Sequence, residues 1–188
     1  LYLRVHVNAG VPLGTELNNT AVIAASNDLE TNDNQSTWYG NVNAPHTNLA
    51  LWNDWNSGQL VPGGEMWYSF ARENYGNVPV DHVWMTVTLP VSVTVAQFDY
   101  FDRDWNYIQP VPYIRTGDTL VWYLGTVPNG EQIRYNLGLR IDGDVAPGTL
   151  LNPVIQISEK PGEDTYDDNL IQWLDIVNPA GPNLHVDK

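Results

Sequence analysis

A strict alternation of apolar and polar positions marks residues 131–141. The residues on one face are all apolar: Ile133, Tyr135, Leu137, Leu139 and Ile141. The other face has Gln132, Arg134, Asn136, Gly138 and Arg140, four polar residues and a glycine. A period of two is typical of a β-strand with one buried face. The pattern therefore predicts a strand that covers a core.

A near copy of this strand opens the sequence. Leu1, Leu3, Val5 and Val7 alternate with polar positions, 134 residues before Tyr135, Leu137, Leu139 and Ile141. At the same spacing Val11, Gly14, Thr15, Leu17, Asn18, Ala21 and Ile23 precede Val145, Gly148, Thr149, Leu151, Asn152, Ile155 and Ile157. One inserted residue shifts the spacing to 135, where Asp33-Asn34, Trp38, Val42-Asn43 and Asn48-Leu49 precede Asp168-Asn169, Trp173, Val177-Asn178 and Asn183-Leu184. An internal repeat is a stronger indication of architecture than a short motif.

The repeat divides the chain into three parts. Residues 1–45 are interpreted as the C-terminal part of a preceding repeat and 46–180 as a complete repeat. Residues 181–188 are then the first strand of a following repeat. We therefore expect the chain to be a length of a longer tandem array with short, proline-bearing joints.

The rest of the chain also has the pattern of short strands. Alternating or extended runs predict strands at 17–25, 38–42, 49–52, 65–73, 82–89, 91–100, 107–115, 119–124, 149–158 and 169–177. Turn residues separate these runs, and helical periodicity is missing. About nine short strands in one repeat favour an antiparallel β-sandwich.

Motifs at turns and strand ends carry a family resemblance. They are Val61-Pro-Gly-Gly-Glu, Asn74-Tyr-Gly, Thr88-Leu-Pro, Val121-Trp-Tyr-Leu-Gly-Thr-Val-Pro-Asn-Gly-Glu, Val145-Ala-Pro-Gly-Thr-Leu-Leu-Asn and Asp168-Asn169, with Val11-Pro-Leu-Gly-Thr-Glu-Leu-Asn-Asn-Thr-Ala-Val and Asp33-Asn34 in the first copy. Their order resembles a prokaryotic surface-protein repeat, the conserved domain of unknown function number eleven. The resemblance implies an all-β fold of immunoglobulin-like antiparallel β-sandwich repeats in tandem. It also implies an extracellular or cell-surface location and brings no catalytic residues.

Composition excludes several classes of partner. The net charge is −14, from 22 acidic and 8 basic residues, which opposes binding to nucleic acids and to anionic lipid. Cysteine is absent, so disulfides and thiolate metal sites are excluded. No apolar run approaches the length of about 18 residues that a membrane span needs.

Acidic loops are the first candidate site. Oxygen-bearing side chains recur at Asp99, Asp102, Asp104 and Asn106, and again at Asp142, Asp144, Glu163, Asp164, Asp167 and Asp168. Ca²⁺ takes six to eight oxygen ligands, so calcium is the one candidate cofactor. The loop after Asp102 lacks the glycine and the final glutamate of an EF-hand. Solvated turn acids are therefore the competing interpretation.

Aromatic side chains are the second candidate site. The residues predicted to point away from the core are Trp52, Trp55, Trp84, Trp105 and Tyr107. A row of exposed rings can stack on sugars or seat a neighbouring subunit. Cross-strand pairing is the alternative explanation. Trp122 lies between Leu120 and Leu124 on one strand face and is predicted to be a core residue.

Catalysis has no support in the sequence. His6, His46, His82 and His185 share no metal-ligand spacing, and neither a nucleophile elbow nor a phosphate-binding glycine loop occurs. We therefore expect no enzyme.

Two functions follow from these patterns. The first is a structural repeat of an extracellular stalk, S-layer or filament protein that assembles with neighbouring repeats or copies of itself. Strand donation is one route, because about three strands cannot bury an inner face alone. The second is an adhesin or carbohydrate-binding module that holds glycans with the exposed aromatic residues.

Overall fold

The computed structural model describes residues 5–8 and 10–181, which contain β-strands and two short 3-10 helices but no α-helix. The chain forms two compact units, residues 1–45 and residues 46–188. The first unit is a hairpin of β1 (Glu16–Val22) and β2 (Gln35–Asn41), with a 3-10 turn at Thr31–Asp33 between them.

The second unit is a sandwich of antiparallel sheets. Its strands are β3 (Leu49–Gly58), β4 (Glu65–Asn74), β5 (Val80–Thr88), β6 (Val93–Asp102), β7 (Ile114–Thr116), β8 (Thr119–Val127), β9 (Gln132–Ile141), β10 (Leu150–Leu151), β11 (Val154–Ile157), β12 (Leu170–Gln172) and β13 (Asp175–Ile176). One sheet has the order β3-β4-β9-β6 and the other the order β12-β11-β5-β8-β7, while β10 and β13 form a short ribbon. The predicted immunoglobulin-like antiparallel sandwich is confirmed.

The core lies between the two sheets. The predicted strand at 131–141 is β9, which lies between β4 and β6 and points Tyr135, Leu137 and Leu139 inward. Trp122 is fully buried, as predicted, and its indole Nε1 donates to the hydroxyl of Tyr100. Burial of these large apolar side chains is the main favourable term in folding.

Several predicted strand bounds were wrong. The strand predicted at 49–52 continues to Gly58, because a bulge between Asn53 and Trp55 keeps it paired with β4. The strand predicted at 107–115 is reduced to Ile114–Thr116, since Pro110 and Pro112 have no N–H to donate. Within 46–181 there are eleven strands rather than about nine, partly because Pro153 separates β10 from β11.

The strand predicted at the start of the chain was also wrong for residues 5–8, which the structure describes. Residues 5–8 are not a strand, and residues 1–4 lie outside the described part of the chain. The counterpart of this segment, β9, is held by hydrogen bonds to β4 and β6. No strand flanks residues 5–8 in that way within the described residues, so the alternation alone does not produce a strand. The predicted strand at 181–188 lies outside the described residues except for Gly181.

The hairpin of the first unit has the same register as the C-terminal strands of the second. The matched pairs are Glu16/Asn41 and Leu150/Ile176, Leu17/Gly40 and Leu151/Asp175, Thr20/Thr37 and Val154/Gln172, Ala21/Ser36 and Ile155/Ile171, and Val22/Gln35 and Gln156/Leu170. All follow the spacings of 134 and 135 found in the sequence. Register depends on the turn and on the buried face, so five matched pairs indicate one structural plan used twice.

The turns before these strands match as well. Thr15 donates its hydroxyl to the carbonyl of Pro12 at 2.7 Å, and Thr149 donates to Ala146 at 2.7 Å. The amide of Gly14 donates to Val42 at 2.8 Å, as Gly148 donates to Val177 at 2.7 Å. Both glycines have φ in the left-handed region, 81° and 90°. The shared geometry therefore extends beyond the paired strands.

Candidate functional site

The solvent side of the sheet β3-β4-β9-β6 is the best candidate site, and we call it the outer face. Alternation along β9 sends Tyr135 into the core and Arg134 and Asn136 to the outer face. Trp52 and Trp55 of β3 reach the same face, because they pair with residues of β4 that point away from the core. The outer face therefore combines aromatic and polar side chains.

An ion pair lies on the outer face. Arg134 donates through Nη1 to Oδ2 of Asp54 at 2.6 Å, and both side chains are more than four-fifths buried. Asp54 lies in the bulge of β3 and also accepts from the indole Nε1 of Trp52 at 3.2 Å. A pair that is this buried holds its geometry more firmly than an exposed pair, because water competes less for its hydrogen bonds.

A hairpin loop folds over this ion pair. The ring of Trp105 lies 4.7 Å from the guanidinium carbon of Arg134, which is a cation–π contact. Asp102 holds the loop, since its Oδ1 accepts from the amides of Asp104 and Asn106, both at 2.9 Å. Hydrogen bonds from Asn106 lower the pKa of the Asp102 carboxyl. Trp105 itself has a φ of 64°, which a non-glycine residue rarely adopts.

Two buried polar atoms of the outer face have no hydrogen-bond partner. They are Nε of Arg134 and Oδ1 of Asn136, one a donor and the other an acceptor. Trp67 lies flat over Gly138 nearby, where even a methyl group would approach its ring to 2.9 Å. Because both atoms are buried, a ligand on the outer face would contact its exposed rings, Trp55 and Trp105, rather than these atoms.

The structure divides the predicted aromatic residues between two faces. Trp52, Trp55 and Trp105 lie on the outer face, and Tyr107 lies beside it, 6.1 Å from the ring of Phe101. Trp84 lies on the other sheet, where its ring is 4.6 Å from that of Tyr123. The five residues therefore do not form one row.

Sequence reasoning did not single out Asp54, Arg134 or Trp67. Arg134 was visible as a polar position of the strand at 131–141. Asp54 was placed outside any strand, because the strand at 49–52 was predicted too short. Trp67 was assigned only to the alternation of β4.

The acidic residues proposed for calcium lie on separate loops. Asp102 is bonded by its own loop, with Asp104 and Asn106 beside it, whereas Asp99 accepts from Gln97 within β6. Asp142 and Asp144 lie in the turn after β9, and Asp164, Asp167 and Asp168 in the loop and 3-10 turn after β11. Among residues 5–8 and 10–181, no three His, Asp or Glu side chains are grouped to hold a metal. Calcium binding stays a prediction.

Glu163, one of the acids in the calcium prediction, accepts hydrogen bonds from three residues. Its Oε1 accepts from the amide of Leu49 at 3.1 Å, and its Oε2 from the amide of Lys160 at 3.0 Å and from Nδ2 of Asn169 at 2.8 Å. The carboxylate therefore ties the loop after β11 to the start of β3.

The histidines are separate. His46 lies 3.9 Å from Asp164, and His82 contacts the hydroxyl of Tyr123 at 3.0 Å. His6 lies in the first unit, and His185 lies outside the described residues. In the part of the chain that the structure describes, no helix has the length and apolar character that crossing a bilayer requires.

Comparisons with known proteins give similarity of fold only. No protein-family model matches the chain, and no curated protein matches it. Among solved structures, the chain is similar to the collagen-binding domain of a Staphylococcus aureus adhesin, with 9% identity over 64% of this chain and 94% of that one and a TM-score of 0.43. It is also similar to the N-terminal domain of a Streptococcus gordonii adhesin, with 11% identity over 78% and 35% of the two chains and a TM-score of 0.45. For the major pilin subunit of Bacillus cereus the values are 11% identity, 87% and 47% of the two chains, and a TM-score of 0.44.

Proposed function

We propose that this chain is a structural repeat of a prokaryotic cell-surface protein of the stalk, S-layer or filament type. It holds length and stiffness and assembles with neighbouring repeats or with copies of itself. The observation that carries this proposal is the hairpin that occurs twice with one register. Repeated supersecondary units in one chain are typical of extended assemblies, because each unit adds length and a further joint.

The second unit has features that suit a load-bearing role. Its two sheets share one apolar core, and Glu163 ties the beginning of β3 to a loop near the C-terminal strands. On the outer face, the largely buried ion pair of Arg134 and Asp54 joins β9 to β3. These contacts support a rigid module more than a catalytic one.

Localisation is the direct test. Antibodies against residues 46–181 should label intact cells of the source organism without permeabilisation, and brief protease treatment of intact cells should remove the signal. A cytoplasmic marker that stays protected is the control. Labelling that appears only after permeabilisation would overturn the proposed surface location.

The outer face supports a second candidate function, an adhesive module that binds glycans. Trp55 and Trp105 are 41% and 46% exposed on this face, beside the ion pair of Arg134 and Asp54. In such a site, ring stacking on the sugar supplies affinity and neighbouring polar side chains supply specificity.

A glycan array followed by calorimetry tests this second function. Trp105→Ala should weaken any glycan that binds by roughly tenfold or more, because one stacked ring contributes about 1.5 kcal/mol. Trp84→Ala is the matched control, since both indoles are 46% exposed and Trp84 lies on the other sheet. No binding across the array, or equal loss in both variants, would exclude the outer face as a glycan site.

A further inference from the structure

The hairpin of the first unit exposes a largely apolar face, which we call the closing face. Its apolar members are Val5, Val7, Val11, Leu17, Ala21, Ile23, Trp38 and Val42, and Asn19 and Ser36 also lie on it. Five of the apolar members, Val5, Val7, Val11, Leu17 and Trp38, line an open groove of about 790 Å³ together with His6, Asn8, Glu16, Asn18 and Asn19. Within the described residues β1 pairs only with β2, so its other edge has no strand beside it.

The counterparts of these residues in the second unit are buried. Ile23 is 70% exposed and Ile157 is 0% exposed, while Trp38 is 60% exposed and Trp173 is 9% exposed. The opposite face behaves differently, because Tyr39 and its counterpart Leu174 are each 64% exposed. The large differences in exposure between the two hairpins therefore lie on the face that the sandwich covers.

The second unit also shows what covers that face. The ring of Trp173 lies 5.0 Å from Tyr68 and 6.3 Å from Phe70, both on β4. The edge of β11 is hydrogen-bonded to β5, where Ile155 opposes Val87 and Ile157 opposes Met85. Aromatic residues of one strand and the free edge of another thus complete the hairpin.

A hydrogen bond between two side chains next to the strands is also repeated. Asn34 donates through Nδ2 to Oδ2 of Asp28 at 2.8 Å, just as Asn169 donates to Glu163 at 2.8 Å. Glu163 also accepts from Leu49 at the start of β3. Hydrogen bonds from Asn34 and from the amide of Glu30 lower the pKa of Asp28. Asp28 therefore holds the loop of the first hairpin as Glu163 holds the equivalent loop of the second unit. In the second unit, this loop contacts the start of β3.

We propose that the closing face docks a set of strands equivalent to residues 46–134 of this chain, which completes a second sandwich on the first unit. The docked strands place residues like Tyr68 and Phe70 on Trp38, and an edge like β5 beside β1. The biological meaning of this docking rests on the proposed scaffold function, because it would join one repeat to the next. The structural claim rests on the shared register and on the exposed face alone.

The test adds the missing strands to the full chain. A polypeptide is made in which residues 46–134 directly precede residue 1, so that Arg134 is followed by Leu1 and the alternation of β9 continues into Val5 and Val7. Amide hydrogen exchange is then measured at 16–23 and 35–42. We expect exchange there to slow by roughly 100-fold or more relative to the 188-residue chain, as tertiary packing protects the amides. Residues 154–157 serve as the internal reference for a folded sandwich.

Two substitutions at adjacent positions, Val22 at the end of β1 and Ile23 directly after it, make the test specific for the face. In the extended polypeptide, Ile23→Asp should abolish the new protection, because its counterpart Ile157 is buried. Val22→Asp should leave it unchanged, because its counterpart Gln156 is exposed. An equal effect of both substitutions would overturn the proposal.

Two further outcomes would also overturn the proposal. One is a hairpin that stays unprotected in the extended polypeptide while 154–157 remain protected. The other is an association of the 188-residue chain that buries Trp38 by itself, which would assign the closing face to a second copy. Neither outcome bears on surface labelling of cells, so failure of this inference and failure of the proposed function are distinguishable.

Discussion

A single carboxylate connects distant parts of the second unit. Glu163 accepts three hydrogen bonds, from Leu49, Lys160 and Asn169, and these residues belong to three different segments. Asn169 is itself buried. An acid whose oxygens are used in this way is a structural residue, and removing it leaves buried donors without partners.

Replacement of Glu163 should destabilise the sandwich. We expect Glu163→Ala to lower the free energy of unfolding by about 2 to 3 kcal/mol, since three donors lose a charged acceptor. Glu163→Gln should also destabilise the sandwich. With the glutamine NH2 group in place of Oε2, a donor would face two other donors, the amide of Lys160 and Nδ2 of Asn169. Urea denaturation measures both. Glu159→Ala, on the exposed surface of the same loop, should change stability by less than about 0.5 kcal/mol. Stability equal to that of the unaltered chain would remove the structural role of Glu163.

Three buried tyrosines link stability to alkaline pH. Burial raises the pKa of the phenols of Tyr68, Tyr100 and Tyr135 above the ordinary value of 10.0. A hydrogen bond to Asp175 raises the pKa of Tyr68 further, whereas Arg72 partly offsets the effect of burial at Tyr135. The folded state therefore keeps these phenols protonated at pH values where the unfolded chain ionises them.

The sign of the pH dependence follows from the raised pKa values. The stabilisation is fully present below pH 10 and is lost as the pH rises above it, since unfolding then releases protons. Each tyrosine adds a slope of about 1.4 kcal/mol per pH unit above its unfolded pKa. Urea denaturation from pH 9 to 11.5 measures this loss. Tyr68→Phe should reduce the slope by about one tyrosine's share, and an unchanged slope would contradict the assignment.

At the scale of elements, alternation predicted those strands whose neighbours are also present. β4, β5, β6 and β9 were predicted within two residues of their bounds, and each of them pairs with at least one neighbouring strand. The segment 5–8 carries the same alternation as β9 and is not a strand, since it has no flanking strands in the described part of the chain. The alternation of apolar and polar residues thus predicts which face of a strand is buried. Whether the strand forms depends on neighbouring strands to pair with.

The candidate site could be predicted only in part. Trp105 and Trp52 were found from composition and alternation, because exposed rings stand out at polar positions. Asp54 was missed, since the bulge that carries it has no clear sequence signal. The contact of Trp105 with Arg134 depends on a loop conformation with a positive φ, which alternation does not encode.

The loop that carries Trp105 should depend on Asp102. We expect Asp102→Ala to speed amide exchange at Asp104 and Asn106 by roughly tenfold or more, because both amides lose their acceptor. Asp102→Asn retains an acceptor oxygen and should have a much smaller effect. Hydrogen exchange resolved by nuclear magnetic resonance measures both variants. Equal exchange in all three chains would show that the loop is held by its rings instead.

At the scale of the whole molecule, charge is the dominant feature. The chain has 22 acidic and 8 basic residues, and four arginine ion pairs involve only part of the acids in the described residues. The remaining acids repel one another across the surface. Self-repulsion of this kind weakens the folded state, and dissolved salt screens it.

Salt should therefore stabilise the second unit. Raising NaCl from about 0.01 to 0.3 M shortens the screening length from about 30 Å to below 8 Å, and we expect a gain on the order of 1 kcal/mol in the free energy of unfolding. Screening also weakens the four arginine ion pairs, but the excess of 18 acids over 7 bases in residues 46–188 makes repulsion the larger effect. Urea denaturation at each concentration measures the gain, and a fall in stability would contradict it.

MgCl₂ and CaCl₂ at equal ionic strength separate screening from binding, because a site built from the acidic loops would make calcium more effective than magnesium. Equal curves in the two salts would instead leave screening as the entire effect and remove the calcium prediction.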